Sequence, residues 1–238
     1  MPSAVELPLV GRRAELSNLT AALRGHCARL IVGPPGAGKT RLIQEALRIS
    51  REPCVFLRGP VARHALLVEL ARQLENCDLA RIPALEDATS ISLKPAVLNA
   101  LRRAPRCVVI EDLSHADPRM YRFLQELYYV PRACLIVSST SRDRLGFVRK
   151  LLWDPREEIR LRPLSRPQAR CLFEAAAEAY GLGPLDLEDF RPKVLAAARG
   201  NPGPIISMCR LAAGPEYRAG RYIKFAALRM DALAAHLR

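Results

Sequence analysis

Short apolar runs alternate along the chain with longer stretches in which apolar residues return every three or four positions. The runs are Arg29–Val32, Cys54–Leu57, Cys107–Ile110, Leu135–Ser138 and Glu158–Leu161. The inner ones are almost continuously apolar, as strands covered on both faces should be. Helical patterns lie between them. Arg13–Leu23 places Leu16, Leu19 and Leu23 on one face. Thr40–Ile49, Ala65–Leu74 and Pro95–Arg103 follow, and Asp117-Pro118 supplies an N-cap and a first-turn proline for a helix to about Tyr128. This alternation predicts an α/β fold with a parallel five-stranded sheet and helices on both faces. Around Pro163 the pattern changes to helices alone. Ser165 and Gln168 form a capping-box signal for a helix to about Tyr180, before Gly181. Leu187–Arg199, Asn201–Ala213 and Arg221–Leu237 read as three more. The expected organisation is an α/β domain over residues 1–162 and a small all-helical lid domain over 163–238.

Composition narrows the class. The chain has 238 residues, half of them hydrophobic, which suits a globular protein. No apolar run reaches the roughly 18–20 residues of a membrane span. The start, Met1 to Glu6, lacks the basic and apolar segments of a secretory signal. The seven cysteines are scattered, Cys77 among them, with no C-x-x-C pair. They read as reduced core residues of a cytoplasmic protein without a membrane role. Net charge is +13 and uneven. Residues 191–238 hold 9 Lys/Arg against 2 Asp/Glu, whereas residues 164–190 hold 2 against 5. A basic surface of this kind suits a polyanion, and DNA is the expected partner.

The sharpest chemical signal is Gly33-Pro34-Pro35-Gly36-Ala37-Gly38-Lys39-Thr40, which satisfies G-x-x-x-x-G-K-[ST] at every fixed position. It lies between a predicted strand and a predicted helix. Backbone N–H groups of such a turn close around phosphate, and the helix dipole favours negative charge there. Lys39 would reach the β- and γ-phosphates, and the Thr40 hydroxyl would ligate Mg²⁺. The third strand runs into Glu111-Asp112. In a phosphate-loop ATPase an acid there holds Mg²⁺ through water or orients the attacking water. The sequence leaves open which acid does which. No N-K-x-D base-reading motif follows, which argues against a GTPase.

Several segments resemble, in consistent order, AAA+ ATPases of the origin-recognition type and STAND signalling ATPases. Leu9-Val10-Gly11-Arg12-Arg13-Ala14-Glu15-Leu16 looks like their VGR-x-x-E-L opening, and Glu111–Asp117 like their DDLHWAD stretch. Thr140-Ser141-Arg142-Asp143 resembles the sensor after the fourth strand. Leu161–Ser165 resembles the L-x-P-L-S turn into the lid, and Gly200-Asn201-Pro202 the G-x-P motif. The resemblance implies ATP/ADP and Mg²⁺ as cofactors. It implies Asp112 as the catalytic carboxylate and Glu111, one methylene longer than the usual Asp, on the Mg²⁺ side. Arg142 would sense the γ-phosphate. Val10, Gly11, Arg12 and Pro202 would border the nucleotide, with Arg41 beside the phosphate loop. In related assemblies a neighbouring subunit supplies an arginine worth about 10³–10⁵ in rate, and Arg149 is the candidate here. The expected function is an ATP-hydrolysing switch that forms homo-oligomers on DNA and loads or regulates an unidentified protein partner. The alternative is a STAND-like signalling or scaffold switch with little turnover and no DNA role.

Overall fold

The computed structural model describes residues 7–59, 62–74 and 88–236. Met1–Glu6, Cys77 and Leu237 lie outside these residues, as does the side chain of Leu233. The chain divides into two compact units. One comprises Ala14–Pro34 and Lys39–Leu161. The other comprises the described residues up to Arg13, the loop residues Pro35–Gly38, and the chain from Arg162 onward. Contacts rather than chain order set this division.

The first unit is an α/β sandwich. Its helices are α1 (Arg13–Arg24, whose first residue belongs to the other unit), α2 (Lys39–Ser50), α3 (Arg63–Gln73), α4 (Ser90–Arg103) and α5 (Pro118–Tyr128). Its strands are β1 (Arg29–Val32), β2 (Cys54–Arg58), β3 (Cys107–Glu111), β4 (Cys134–Ser139) and β5 (Glu158–Arg160). All pair in parallel, in the order β2-β3-β4-β1-β5. Val108, Ile110, Leu135 and Val137 join one buried cluster, and their neighbours Val109 and Ile136 are buried on the opposite face. Both faces are therefore covered, as the continuous apolar runs predict. Ligand sites in open α/β sheets form beyond the carboxyl ends of the strands, where the order of connection reverses. Here that point is the end of β1.

Two details are invisible to periodicity. Cys54, Cys107 and Cys134 open β2, β3 and β4 in register, so three thiols lie side by side across the sheet. The hydrogen bond with Cys134, then burial, hold the Cys107 thiol well above its ordinary pKa, which keeps it protonated and inert. At the sheet edge, the Gln73 side-chain amide accepts from the Phe56 N–H and donates to the Phe56 carbonyl, each at 3.0 Å. One side chain thus blocks an edge that could pair with another strand.

Helix α4 begins at Ser90, five residues before the predicted start at Pro95. Thr89 caps it, accepting from the Ser92 N–H at 3.3 Å, and Pro95 sits inside. An internal proline removes one ladder hydrogen bond, and burial of Leu93, Val97, Leu98 and Leu101 outweighs that loss.

In the second unit α6 (Arg166–Ala179), α7 (Leu187–Ala198), α8 (Pro202–Ala212) and α9 (Phe225–His236) surround an apolar core. The Ser165–Gln168 capping box forms as predicted. The predicted helix from Arg221 is corrected. Arg218–Ala219 (β6) and Tyr222–Ile223 (β7) make a small antiparallel hairpin, and α9 starts only at Phe225. Gly220 takes φ 62° at the first turn position, the backbone a two-residue hairpin turn requires. The Asp186 N–H then donates to the Arg221 carbonyl and holds the turn in place. Phe190 is the hub of the unit, 5.9 Å from the Phe173 ring and 6.2 Å from the Phe225 ring between centroids. Phe190→Ala should destabilise this unit by about 3–5 kcal/mol, measured by denaturant unfolding. A change below about 1 kcal/mol would show that the core collapses around the loss.

Candidate functional site

The site begins where β1 ends. The Gly33 N–H donates to the Ser139 carbonyl at 3.2 Å, fixing the start of the phosphate loop against β4. Helix α2 opens directly at Lys39, so its unpaired N-terminal N–H groups and dipole face the loop. Lys39 is buried. Its ammonium donates to the Gly33 carbonyl at 3.0 Å and the Pro34 carbonyl at 3.4 Å, and lies 3.5 Å from Asp112 Oδ1. A buried charge needs such partners. They leave Lys39 as an oriented positive point at the loop's mouth, beside Thr40.

The two acids occupy different environments. Glu111 ends β3, is 5% exposed, and its Oε1 has no hydrogen-bond partner among the described residues. Asp112 has left the sheet with φ 48°, and its side chain is 56% exposed. The sharp exit is held by two buried serines of β4 that sequence reasoning missed. Ser138 Oγ accepts from the Asp112 N–H at 3.0 Å, and the Ser138 carbonyl accepts from the Leu113 N–H at 2.9 Å. Ser139 Oγ donates to the Leu113 carbonyl at 2.9 Å. The signal available was the switch from Ile136-Val137 to paired hydroxyls at a strand end. An orphaned buried carboxylate oxygen is costly, and a divalent cation would satisfy it. The available donors, from Glu111, Asp112 and Thr40, are all hard oxygens, which fits Mg²⁺.

Arg142 follows β4. Its guanidinium pairs with Glu158 Oε2 at 3.1 Å and donates to the Leu152 carbonyl at 2.6 Å. Arg149 is exposed on the 3₁₀ segment Asp143–Lys150, an element the sequence did not predict. Arg41 lies in the first turn of α2.

The loop tip belongs to the helical unit. There three successive carbonyls are engaged. Asn201 Nδ2 donates to the Pro35 carbonyl at 2.9 Å, the Gly203 N–H to the Gly36 carbonyl at 2.9 Å, and Arg12 Nη2 to the Ala37 carbonyl at 3.4 Å. In a planar trans peptide the carbonyl and the next N–H point in opposite directions. Fixing these carbonyls therefore turns the N–H groups of Gly36, Ala37 and Gly38 the other way, as a phosphate cradle requires. The approach is close enough to demand glycine. A Cβ on Gly203 would lie 2.7 Å from Gly36 Cα, and Gly36 itself has φ +77°. Asn201 and Gly203 are thus positioning residues beside the predicted Pro202, which opens α8. Arg12 is buried, Val10 packs against the helical core, and a Cβ on Gly11 would meet the Gln168 side chain at 2.6 Å.

No helix among the described residues is long and apolar enough to cross a membrane. Among curated proteins none matches this chain. Its fold is similar to that of a Walker-type ATPase of Pyrococcus abyssi, with TM-score 0.68 and 13% identity over 96% of this chain and 72% of that one. It is also similar to a STAND (signal transduction ATPase with numerous domains) protein with a tetratricopeptide-repeat sensor from Pyrococcus horikoshii. That match has TM-score 0.56 and 17% identity, and covers 98% of this chain but only 34% of the larger protein. Residues 8–137 match the AAA ATPase domain family. This match spans more than half of the chain, which therefore belongs to the AAA ATPase domain family.

Proposed function

We propose that the protein binds and slowly hydrolyses Mg²⁺–ATP, and that ATP drives its assembly into homo-oligomers on DNA, where it loads or regulates partner proteins. The observation that carries the nucleotide part is the convergence of Lys39, the loop start and Asp112 at the carboxyl end of the sheet. Lys39 would hold the β- and γ-phosphates, with Thr40 and Glu111 holding Mg²⁺. Bound there, the cation would neutralise charge on the phosphates during transfer. The environments of the acids support a division of labour. Glu111 is buried, with an oxygen that has no partner among the described residues, which suits a cation. Asp112 is open to solvent, which suits orienting the attacking water. Arg142 would sense the γ-phosphate by exchanging Glu158 for it, and Arg149 would act on a neighbouring subunit's nucleotide. Val10, Gly11 and Pro202 would border the adenine.

Net charge of +13 supports the DNA part. One observation favours the second reading, a STAND-like switch of protein contacts with little turnover. Arg218, a prominent cation of the C-terminal segment, donates to the Ala212 and Ala213 carbonyls and so closes the end of α8. Lys224 likewise reaches the Glu216 carbonyl. These cations have structural work beyond any phosphate contact.

Lys39→Ala should abolish nucleotide binding in a fluorescent-nucleotide titration, and unchanged affinity would remove the site from this loop. Asp112→Asn should retain ATP while losing turnover by about 10²-fold or more, read in a phosphate-release assay. Should Glu111→Gln alone behave so, the two acids have the opposite roles. Light scattering without nucleotide, with ADP and with a slowly hydrolysed ATP analogue, each with and without duplex DNA, tests the assembly. Growth in mass that needs both analogue and DNA is expected. A constant monomer would favour the signalling switch.

A further inference from the structure

Beside Arg149, the segment after β4 carries a surface that the nucleotide site does not use. From Arg144 to Trp153, Leu145, Val148, Leu151 and Leu152 are buried and fasten the segment to the α/β core. Its two aromatic residues point the other way. Phe147 is 43% exposed, and Trp153, the only tryptophan of the chain, is 71% exposed. Between and before them stand exposed Arg144, Arg149 and Lys150. The Lys150 ammonium lies 5.4 Å from the Phe147 ring centroid. Gly146, Phe147, Arg149 and Lys150 line an open cavity of about 280 Å³.

The frame beneath is fixed. The Phe147 N–H donates to the Ala116 carbonyl at 3.1 Å, and the His115 N–H donates to the Arg144 carbonyl at 2.6 Å. Gly146 makes a kink at φ 59°, ψ −132°, and a Cβ there would lie 2.6 Å from the Ala116 oxygen. The aromatic rings are thus carried on ordered backbone, which lowers the entropy lost when a ligand settles on them. Trp153 is three residues past Lys150, within about 11 Å of it even if the chain were fully extended. Acids nearby include Asp143, which is exposed, Asp117, whose carboxylate accepts from the Met120 N–H at 2.6 Å, and Asp154, whose carboxylate accepts from the Arg156 N–H at 2.8 Å.

Cations alone would suit any polyanion. Exposed aromatic faces beside cations suit one whose bases are free to stack. A duplex hides its base faces, and an acidic peptide has none. We propose that Arg144–Trp153 is a binding surface for single-stranded nucleic acid, with Phe147 and Trp153 stacking on bases and Arg144 and Lys150 meeting phosphates. This rests on the DNA-bound reading above and adds the strand state and the surface.

Because Trp153 is the only tryptophan, its fluorescence reports this surface alone. The intact protein is titrated with an oligothymidylate of about 15 nucleotides, while anisotropy of labelled single-stranded and duplex DNA follows binding anywhere on the molecule. Saturable quenching is expected, weakening as salt rises. By anisotropy, Trp153→Ala should lower single-strand affinity about tenfold, and Lys150→Gln with Arg144→Gln should reduce the salt slope. Three results overturn the proposal. Equal quenching by heparin or polyglutamate would make the patch a general anion surface. Single strands that bind without moving the Trp153 emission would refute this surface and leave the DNA-bound reading standing. Failure of both single-stranded and duplex DNA to bind would remove the two together.

Discussion

The buried ammonium of Lys39 is the constraint on which the candidate site depends. A lysine can lose its water only where other groups replace it. Here the replacements come from the Gly33 and Pro34 carbonyls and from Asp112. The first two bend the loop back over its own start, and the third ties the loop to the end of β3. Two segments more than 70 residues apart in sequence thus share one charge. On the proposed function, a phosphate arriving at the loop would compete with Asp112 for that charge, and loop occupancy would then be coupled to the freedom of the neighbouring acid.

That coupling is useful only if Asp112 is held in place, and the sheet holds it. β4 separates β1 from β3 in the strand order. Its last two residues, Ser138 and Ser139, hydrogen-bond to the chain on either side, to Asp112 and Leu113 beyond β3 and to Gly33 beyond β1. Buried hydroxyls at this place are satisfied by doing so, which is the usual condition for burying them. Glu111 is the exception, its Oε1 unmet among the described residues. The proposed cation would meet that oxygen.

The loop tip shows the same economy of backbone geometry. Donors from Arg12, Asn201 and Gly203 take three successive carbonyls and thereby orient three N–H groups. The helical unit owns these contacts, so the loop's shape is partly a property of residues 166 positions away, the separation between Pro35 and Asn201. The 3₁₀ segment after β4 is organised by comparable means, with backbone hydrogen bonds to His115 and Ala116 replacing regular secondary structure.

The sequence by itself determined the parallel sheet, because five short apolar runs separated by helical periodicity admit little else. It also determined the phosphate loop, because glycine placement and the Lys39-Thr40 pair are chemical requirements written locally. The capping box at Ser165 and Gln168 was legible for the same reason. The early start of α4 was not, since Pro95 suggested a first turn and only the burial of Leu93 and Leu98 makes an internal proline tolerable. The hairpin at Arg218–Ile223 was not, since its turn is held by Asp186 from another element. The roles of Ser138, Asn201 and Gly203 were likewise decided by the tertiary structure. Each acts through a hydrogen bond or close approach to a residue distant in sequence, and periodicity carries no information about such pairs.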